Sequence, residues 1–327
     1  MTFGAETDEA TARSQLDMFV AHGGTLIDTA DVYSAGVSEE IIGRWGKQRG
    51  GMDDLIVATK SRFAPPQGSY GGSRRAITRT VEASLRRLQV ETIDLYFIHG
   101  WDTRTPLAET LHVINDLTRA GKIHNTAWSN VSGWQLQKIL STADALGVER
   151  PVALQPQYNL LERGIEYEVL PCALEEEVSL TPWSPLAGGW LTGKYSADKR
   201  PTGATRLGED PGRGVEAYDV RGTEKTFEVL DVLTRVAETY GRPMSHVALA
   251  WLSARPGVAS VLLGARTPEQ LRDNLAAADL ELGAEALEAL NKASALAPCM
   301  ARAPFPYNFL ADWCDMDVWS QLGSFGN

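Results

Sequence analysis

With 327 residues, 43% of them hydrophobic and 22% charged, the chain has material for one large soluble core or two small ones. A net charge of −11 argues against nucleic acid as the main partner, because phosphate backbones call for a basic surface, although a local basic pocket for one phosphate is compatible with it. Three scattered cysteines (Cys172, Cys299, Cys314) exclude a disulfide framework and a zinc site; with no membrane-length apolar run and no signal pattern, a cytoplasmic protein in a reducing compartment is expected.

In chain order, Met1 to Gly4 reads as a remnant of a strand and Glu6 to His22 as an amphipathic helix. Thr25 to Ile27 is a short apolar strand with Asp28 at its end, and Ser38 reads as the N-cap of a helix whose first turn carries Glu39 and Glu40. Leu55 to Lys60 reads as a buried strand. Ser73 to Leu88 reads as a helix with Ala76, Ile77, Thr80, Val81, Ser84, Leu85 and Leu88 on one face. A strand follows at Ile93 to His99, then a helix at Pro106 to Ala120 with proline in its first turn and Gly121 as its stop. Further strands are expected at Ile123 to Asn130, Val152 to Tyr158, Ser179 to Ser184 and Ser260 to Gly264. The helices expected around them are Gly133 to Leu146, Glu162 to Glu177, Thr226 to Tyr240, Ser245 to Ser253 and Pro268 to Ala276.

Apolar strands alternating with helices imply a parallel sheet with a helical cover. The count fits a (β/α)8 TIM barrel of about 250 residues with additions, its first strand and N-terminal hairpin truncated. A doubly wound open sheet is the alternative, weakened because no Gly-x-Gly-x-x-Gly follows any strand. The whole chain, 1–327, is read as one barrel domain. The segment at about 188–224, rich in Gly, Pro, Asp and Arg, is either a functional lid or disordered. The tail 297–327 carries Phe305, Tyr307, Phe309, Trp313 and Trp319, so it either lines the pocket or packs under the helices.

Asp28, Lys60 and His99 close three successive strands, and in a parallel barrel such ends meet on one rim. Each alone has a bland reading: a solvated turn, a solvated terminus, a core histidine. Together, with Tyr33 on the loop after Asp28, they make an acid–base constellation. A phenol with a pKa of about 10 is a poor acid near neutrality, and a neighbouring ammonium would lower that value. Asp28 would keep Lys60 charged, and His99 would orient a carbonyl oxygen. The set holds no activated nucleophile and no metal-ligand cluster. It suits delivery of a proton to an oxygen as a hydride reaches carbon, which calls for a nicotinamide. His22, His112, His124 and His246 have no ligand-spaced partner and read as structural. Trp101 and Asp102, just beyond His99, either line a substrate pocket or are ordinary loop residues.

The run Asp28-Thr-Ala-Asp-Val-Tyr33, Lys60 after Ile-Val-Ala-Thr, and His99 after Leu-Tyr-Phe-Ile resembles the Asp/Tyr/Lys/His tetrad of the aldo-keto reductases. The likeness covers nearly the whole chain, through Gly121-Lys-Ile, Gln155-Pro-Gln-Tyr-Asn159, Trp183-Ser-Pro-Leu-Ala-Gly-Gly and Leu263-Gly-Ala-Arg-Thr-Pro-Glu-Gln-Leu-Arg-Asp-Asn274. It implies a (β/α)8 barrel that reduces aldehydes or ketones with NADPH and no metal, Asp28, Tyr33, Lys60 and His99 being catalytic and Tyr33 the proton donor. It further implies that Ser129, Asn130 and Gln155 hold the carboxamide, that Trp183 stacks on the nicotinamide, and that Ser184, Leu186, Gly188 and Lys194 border the pyrophosphate. Thr267, followed by Pro268, reads from the residues themselves as an N-cap, with Gln270 completing a capping box. Beside Gly264 and Arg266 that helix start suits a 2′-phosphate, and Gln270 and Asn274 resemble adenine contacts. Potassium-channel β-subunits resemble the same family, so a nucleotide-binding regulatory subunit is an alternative. A ketoreductase specific for a sugar or a natural product is a narrower one.

Overall fold

The computed structural model describes residues 1–61, 71–197, 199–203, 206–210, 212 and 214–296. The aromatic tail and parts of the 188–224 segment therefore lie outside the described residues. Two compact units emerge. The first comprises Met1–Pro156, Glu175–Thr181 and Gly264–Leu275, and the second Gln157–Leu174, Pro182–Leu263 and the chain from Ala276 onward.

The first unit alternates helix and strand: α1 (Glu9–Ala21), β1 (Leu26–Asp28), α2 (Val37–Arg49), β2 (Ile56–Ser61), α3 (Arg74–Leu88), β3 (Ile93–Ile98), α4 (Leu107–Arg119), β4 (Ile123–Ser129), α5 (Gly133–Leu146), β5 (Ala153–Gln155) and β6 (Ser179–Leu180). All six strands pair in parallel in the order β1-β2-β3-β4-β5-β6, as right-handed β-α-β crossovers laid down one after another require. Local chemistry sets most of the helix ends. Asp8 and Ser73 cap α1 and α3 by accepting the amides of Thr11 and Ala76, and Ser132 with Gln135 forms a capping box on α5. Gly50 and Gly147 end α2 and α5 in the left-handed conformation.

Several boundaries differ from those expected, each for a local reason. Ser38 is not a cap: Gly36, at φ 97°, precedes α2, and the Ser38 hydroxyl instead bonds that of Thr29 at 2.8 Å. The predicted strand Val152 to Tyr158 narrows to Ala153–Gln155 because Pro156 has no donor for the ladder. Ser179 to Ser184 likewise stops at Leu180, ahead of Pro182 and a left-handed Ser184. Ser260 to Gly264 forms no strand. Leu262 donates one hydrogen bond, 3.2 Å, to the Pro182 carbonyl, and proline cannot return one. Gly164 and Pro171 break the expected long helix into a 3-10 turn, Gly164–Tyr167, and a short helix, Val169–Glu175.

The second unit is built around helices Glu224–Tyr240, Met244–Ser253 and Ala284–Ala293, the last of which the pattern analysis missed. Tyr158, Trp190 and Trp251 fill its core. Buried beside them, Glu166 accepts from Tyr158 and twice from Arg163, and Arg255 stands at ion-pair distance, 3.6 Å, so this carboxylate is buried with opposite charges around it. Among the described residues no helix is long and apolar enough to cross a membrane.

The approach of α2 to α3 is closest at Gly43, where an added Cβ would lie 2.2 Å from the Arg87 carbonyl oxygen. That obstacle is backbone and cannot swing away. Gly43→Ala should therefore cost about 1–3 kcal/mol of stability despite alanine's better helix propensity. Urea unfolding of the two proteins checks this, and an unchanged or raised midpoint would show that the helices can part freely.

Candidate active site

Side chains alternate along a strand, so residues two apart share a face. Leu26, Ala58, Leu95, Phe97, Ala127 and Ala153 form one contiguous layer on one face of the sheet. Two residues further along five of these strands stand Asp28, Lys60, His99, Ser129 and Gln155. The sheet thus stacks a polar layer above a small apolar floor, at the C-terminal ends of parallel strands where barrel active sites lie.

Lys60 organises that layer. Its side chain has no solvent exposure, and its ammonium donates to Asp28 Oδ1, to the Thr29 carbonyl at 2.7 Å and to the Tyr33 hydroxyl at 3.4 Å. Burial opposes the charge, but Asp28 and Tyr33 outweigh it and hold the ammonium above the usual lysine range. The other Asp28 oxygen accepts from Gln155 Nε2 at 2.8 Å. His99 sets its ring edge-on to Tyr33, centroids 6.0 Å apart, while its backbone amide donates to the Ser61 carbonyl. The structure therefore gathers Asp28, Tyr33, Lys60 and His99 in one place.

The tuning of Tyr33 runs opposite to the sequence-based expectation. Its ring stays partly exposed, yet its surroundings are dense, and burial pushes the phenol above its ordinary value. Lys60 pulls it down, but by less.

Among residues proposed to hold a nucleotide, several are already engaged within the chain. Ser129 donates to the Gln155 carbonyl at 2.7 Å, and Asn130, left-handed at φ 56° and exposed on the rim, donates to the His99 carbonyl at 3.1 Å. Ser184 donates to Glu216 Oε1 at 2.8 Å, a partner the sequence did not reveal. Leu186, Gly188 and Lys194 lie in or beside the 3-10 turn Ala187–Thr192, where Gly188 and Gly189 are both left-handed and Lys194 lies across Gly189. Trp183 bridges to Gln157. Thr267 does cap helix Pro268–Leu275, accepting from the Gln270 amide at 3.3 Å. Gln270 does not complete the box in the expected way, since its side chain accepts from the Arg266 amide, one residue earlier. Asn274 is buried, which sets it apart from exposed Gln270 on the same helix. The Ala265 and Arg266 carbonyls are drawn toward Thr2, Gln15 and Thr7. Among the described residues nothing lies within 4 Å of where a Gly264 Cβ would stand. An open glycine, a guanidinium and a capped helix start are a donor set that fits a phosphate group.

Behind the tetrad lies a second polar cluster that the motif reading passed over. Glu39 is fully buried, accepting from Thr59 Oγ1 and Arg87 Nε, both at 2.6 Å, and Asp31 is buried next to it in the fold. The available signal was a carboxylate one residue from Ser38 on a helix face otherwise lined by Ile41, Ile42 and Trp45. On the rim, Trp101 packs edge-on against Trp134, centroids 5.5 Å apart, and Asp102 accepts the Gly72 amide at 2.7 Å. Among the described residues no group of three or more His, Cys, Asp or Glu is placed to hold a metal ion.

Residues 1–295 match the model of the aldo/keto reductase family. The chain is 36% identical to the oxidoreductase YrpG of Bacillus subtilis, over 89% of each chain. It is 32% identical to a probable voltage-gated potassium channel subunit beta of Arabidopsis thaliana, over 86% of this chain and 85% of that one. It is 30% identical to norsolorinic acid reductase B of Dothistroma septosporum, over 94% of this chain and 76% of that one.

Lys60 being the group that pulls the Tyr33 phenol downward, Lys60→Met should move its titration midpoint further up. Alkaline difference spectroscopy, referenced to the same proteins carrying Tyr33→Phe, reads this directly. An unmoved midpoint would mean that Lys60 acts on Asp28 alone.

Proposed function

Since the chain belongs to the aldo/keto reductase family, (β/α)8-barrel oxidoreductases that use NAD(P)H, we propose that it reduces an aldehyde or ketone to an alcohol with NADPH, Tyr33 giving the proton. The observation that carries this reading is the Lys60 ammonium bonded at once to Asp28 and Tyr33. When bound, the nicotinamide supplies the hydride.

The chain's own residues do the rest. Asp28 holds Lys60 charged and aimed; Lys60 stabilises the phenolate that remains when Tyr33 releases its proton. His99, edge-on to Tyr33, orients the carbonyl oxygen so that the developing negative charge meets both groups. Ser129, Asn130 and Gln155 hold the carboxamide, and Trp183 covers the nicotinamide ring. Ser184, Leu186, Gly188 and Lys194 serve the pyrophosphate, with the Ser184 hydroxyl giving up Glu216 to do so. Gly264, Arg266 and Gln270 serve the adenosine phosphate, and Asn274 supports that helix from its buried side. The likeness to norsolorinic acid reductase B supports a narrower version, a ketoreductase of a natural product. The likeness to the Arabidopsis channel subunit supports a second reading, a nucleotide-binding regulatory subunit. Stable co-purification with a membrane channel, without turnover of any carbonyl, would favour it. The protein is read as cytoplasmic.

Tyr33→Phe should abolish NADPH-dependent reduction of a good aldehyde, by at least about a hundredfold in kcat, while NADPH affinity by fluorescence titration stays near the parent's. Reduction at the parent rate would remove Tyr33 from the mechanism.

NADPH should be preferred to NADH, and Arg266→Ala should erode the preference by roughly tenfold to a hundredfold, through Kd rather than kcat, as loss of a charge-assisted phosphate contact requires. Equal binding of both nucleotides by the parent would contradict the assignment.

A further inference from the structure

The cluster behind Tyr33 contains three carboxylates (Asp28, Asp31, Glu39) and two cations (Lys60, Arg87). Both cations are paired: Lys60 with Asp28, and Arg87 with Glu39 at 2.6 Å. Asp31 is left over. It is 1% exposed, and among the described residues neither of its carboxyl oxygens has a side-chain hydrogen-bond partner, the Val32 amide next in the chain giving it some help. It lies on the loop that joins Asp28 to Tyr33, and its backbone amide donates to the Lys60 carbonyl at 3.0 Å, so it cannot drift from the site. We propose that Asp31 is a positioning residue whose proton sets the net charge behind Tyr33 and so governs how readily Tyr33 gives up its own.

The physical basis is the imbalance. A buried carboxylate without a cation is costly, and the least expensive remedy is to take up a proton. Burial, reinforced by the charge of Glu39, pushes Asp31 up to about 7, with Arg87, the Val32 amide and Lys60 pulling the other way. The groups weighing on it come from each surrounding element: Tyr33 on its own loop, Glu39 on α2, Lys60 on β2, Arg87 on α3 and Tyr96 on β3. Below neutrality the cluster is balanced and Tyr33 releases its proton more easily. Above it, a net negative charge stands behind the phenol and holds the proton back, the direction in which Asp31 acts on Tyr33. No group is consumed in this, as one proton moves between Asp31 and solvent. The inference rests on Tyr33 as proton donor, but its first two tests do not need turnover.

Asp31→Asn keeps the shape and removes the charge. The Tyr33 phenol, followed by 13C-tyrosine NMR against Tyr33→Phe controls, should titrate lower in Asp31→Asn by about half a unit or more, and Asp31→Glu should not reproduce the shift. Thermal melts give the second reading. An acid raised in the fold loses stability as pH climbs from its unfolded value, about 3.9, to its folded one, so the parent should fall behind Asp31→Asn between about pH 4 and 7 and then keep a constant deficit. The third reading is the pH profile of kcat for aldehyde reduction, where the parent and Asp31→Glu should show a fall centred near pH 7 that Asp31→Asn lacks. Coincident tyrosine titrations of parent and Asp31→Asn, or a difference in melting temperature that does not change with pH, would overturn the proposal. Loss of all carbonyl turnover in the parent, with the titration and melting differences intact, would instead strike at the reductase reading and leave the coupling standing.

Discussion

An ammonium ion with no access to water is the constraint from which the rest of this fold's geometry follows. Desolvating Lys60 is tolerable because the carboxylate of Asp28 and the carbonyl of Thr29 meet it from β1 and the turn after it. That meeting requires β1 and β2 to pair in one register, Leu26 with Ile56 and Asp28 with Ala58. A slip of one residue would turn Lys60 to the face opposite Asp28. Pairing of the strands and assembly of the acid–base group are thus the same event, and neither can be altered without the other.

Charge accounting extends outward from that pair. Glu39 and Arg87 tie α2 to α3 behind the sheet, where Gly43 allows the two helices to touch at the backbone. In the second unit Glu166 collects Arg163, Arg255 and the Tyr158 hydroxyl in a similar way, and Glu216 collects Ser184, Gln157 and Arg221. Among the described residues, each buried acid except Asp31 accepts from a side-chain donor. Matching serves the fold, since an unpaired buried charge is among the more destabilising features a core can hold. The exception sits on the loop that carries Tyr33.

The site was more legible in the sequence than the architecture that carries it. Asp28, Lys60 and His99 announced themselves because each follows an apolar run at the same place in three successive strands, and together with Tyr33 they outweigh the ordinary reading that each has alone. The first four expected sheet strands were found nearly to the residue. The next two were overextended because the prolines at positions 156 and 182 were read as part of apolar runs, when each removes a donor from the ladder, and Ser260 to Gly264 does not form a strand. Helix Ala284–Ala293 was missed although its composition is strongly helical, its start being a bare glycine rather than a capping side chain. The direction in which Tyr33 is shifted could not be read at all. It depends on burial outweighing Lys60, a contest between two terms that sequence spacing does not weigh. Asp31 and Glu39 escaped for a related reason, since acids near a helix start usually face solvent.

The ties from Thr2, Thr7 and Gln15 to the carbonyls of Ala265 and Arg266 join residues at least 250 positions apart. All belong to the first unit, whose main body ends at Pro156 and whose last piece begins at Gly264, about a hundred residues later. During synthesis at roughly 5–20 residues per second, that gap lasts about 5–20 seconds. Through most of that interval the strands up to β6 have already been made, and what is still missing is the 264–275 segment that anchors α1. The interleaving of the two units along the chain therefore leaves the first unit without the segment that anchors α1 until most of the chain has been made.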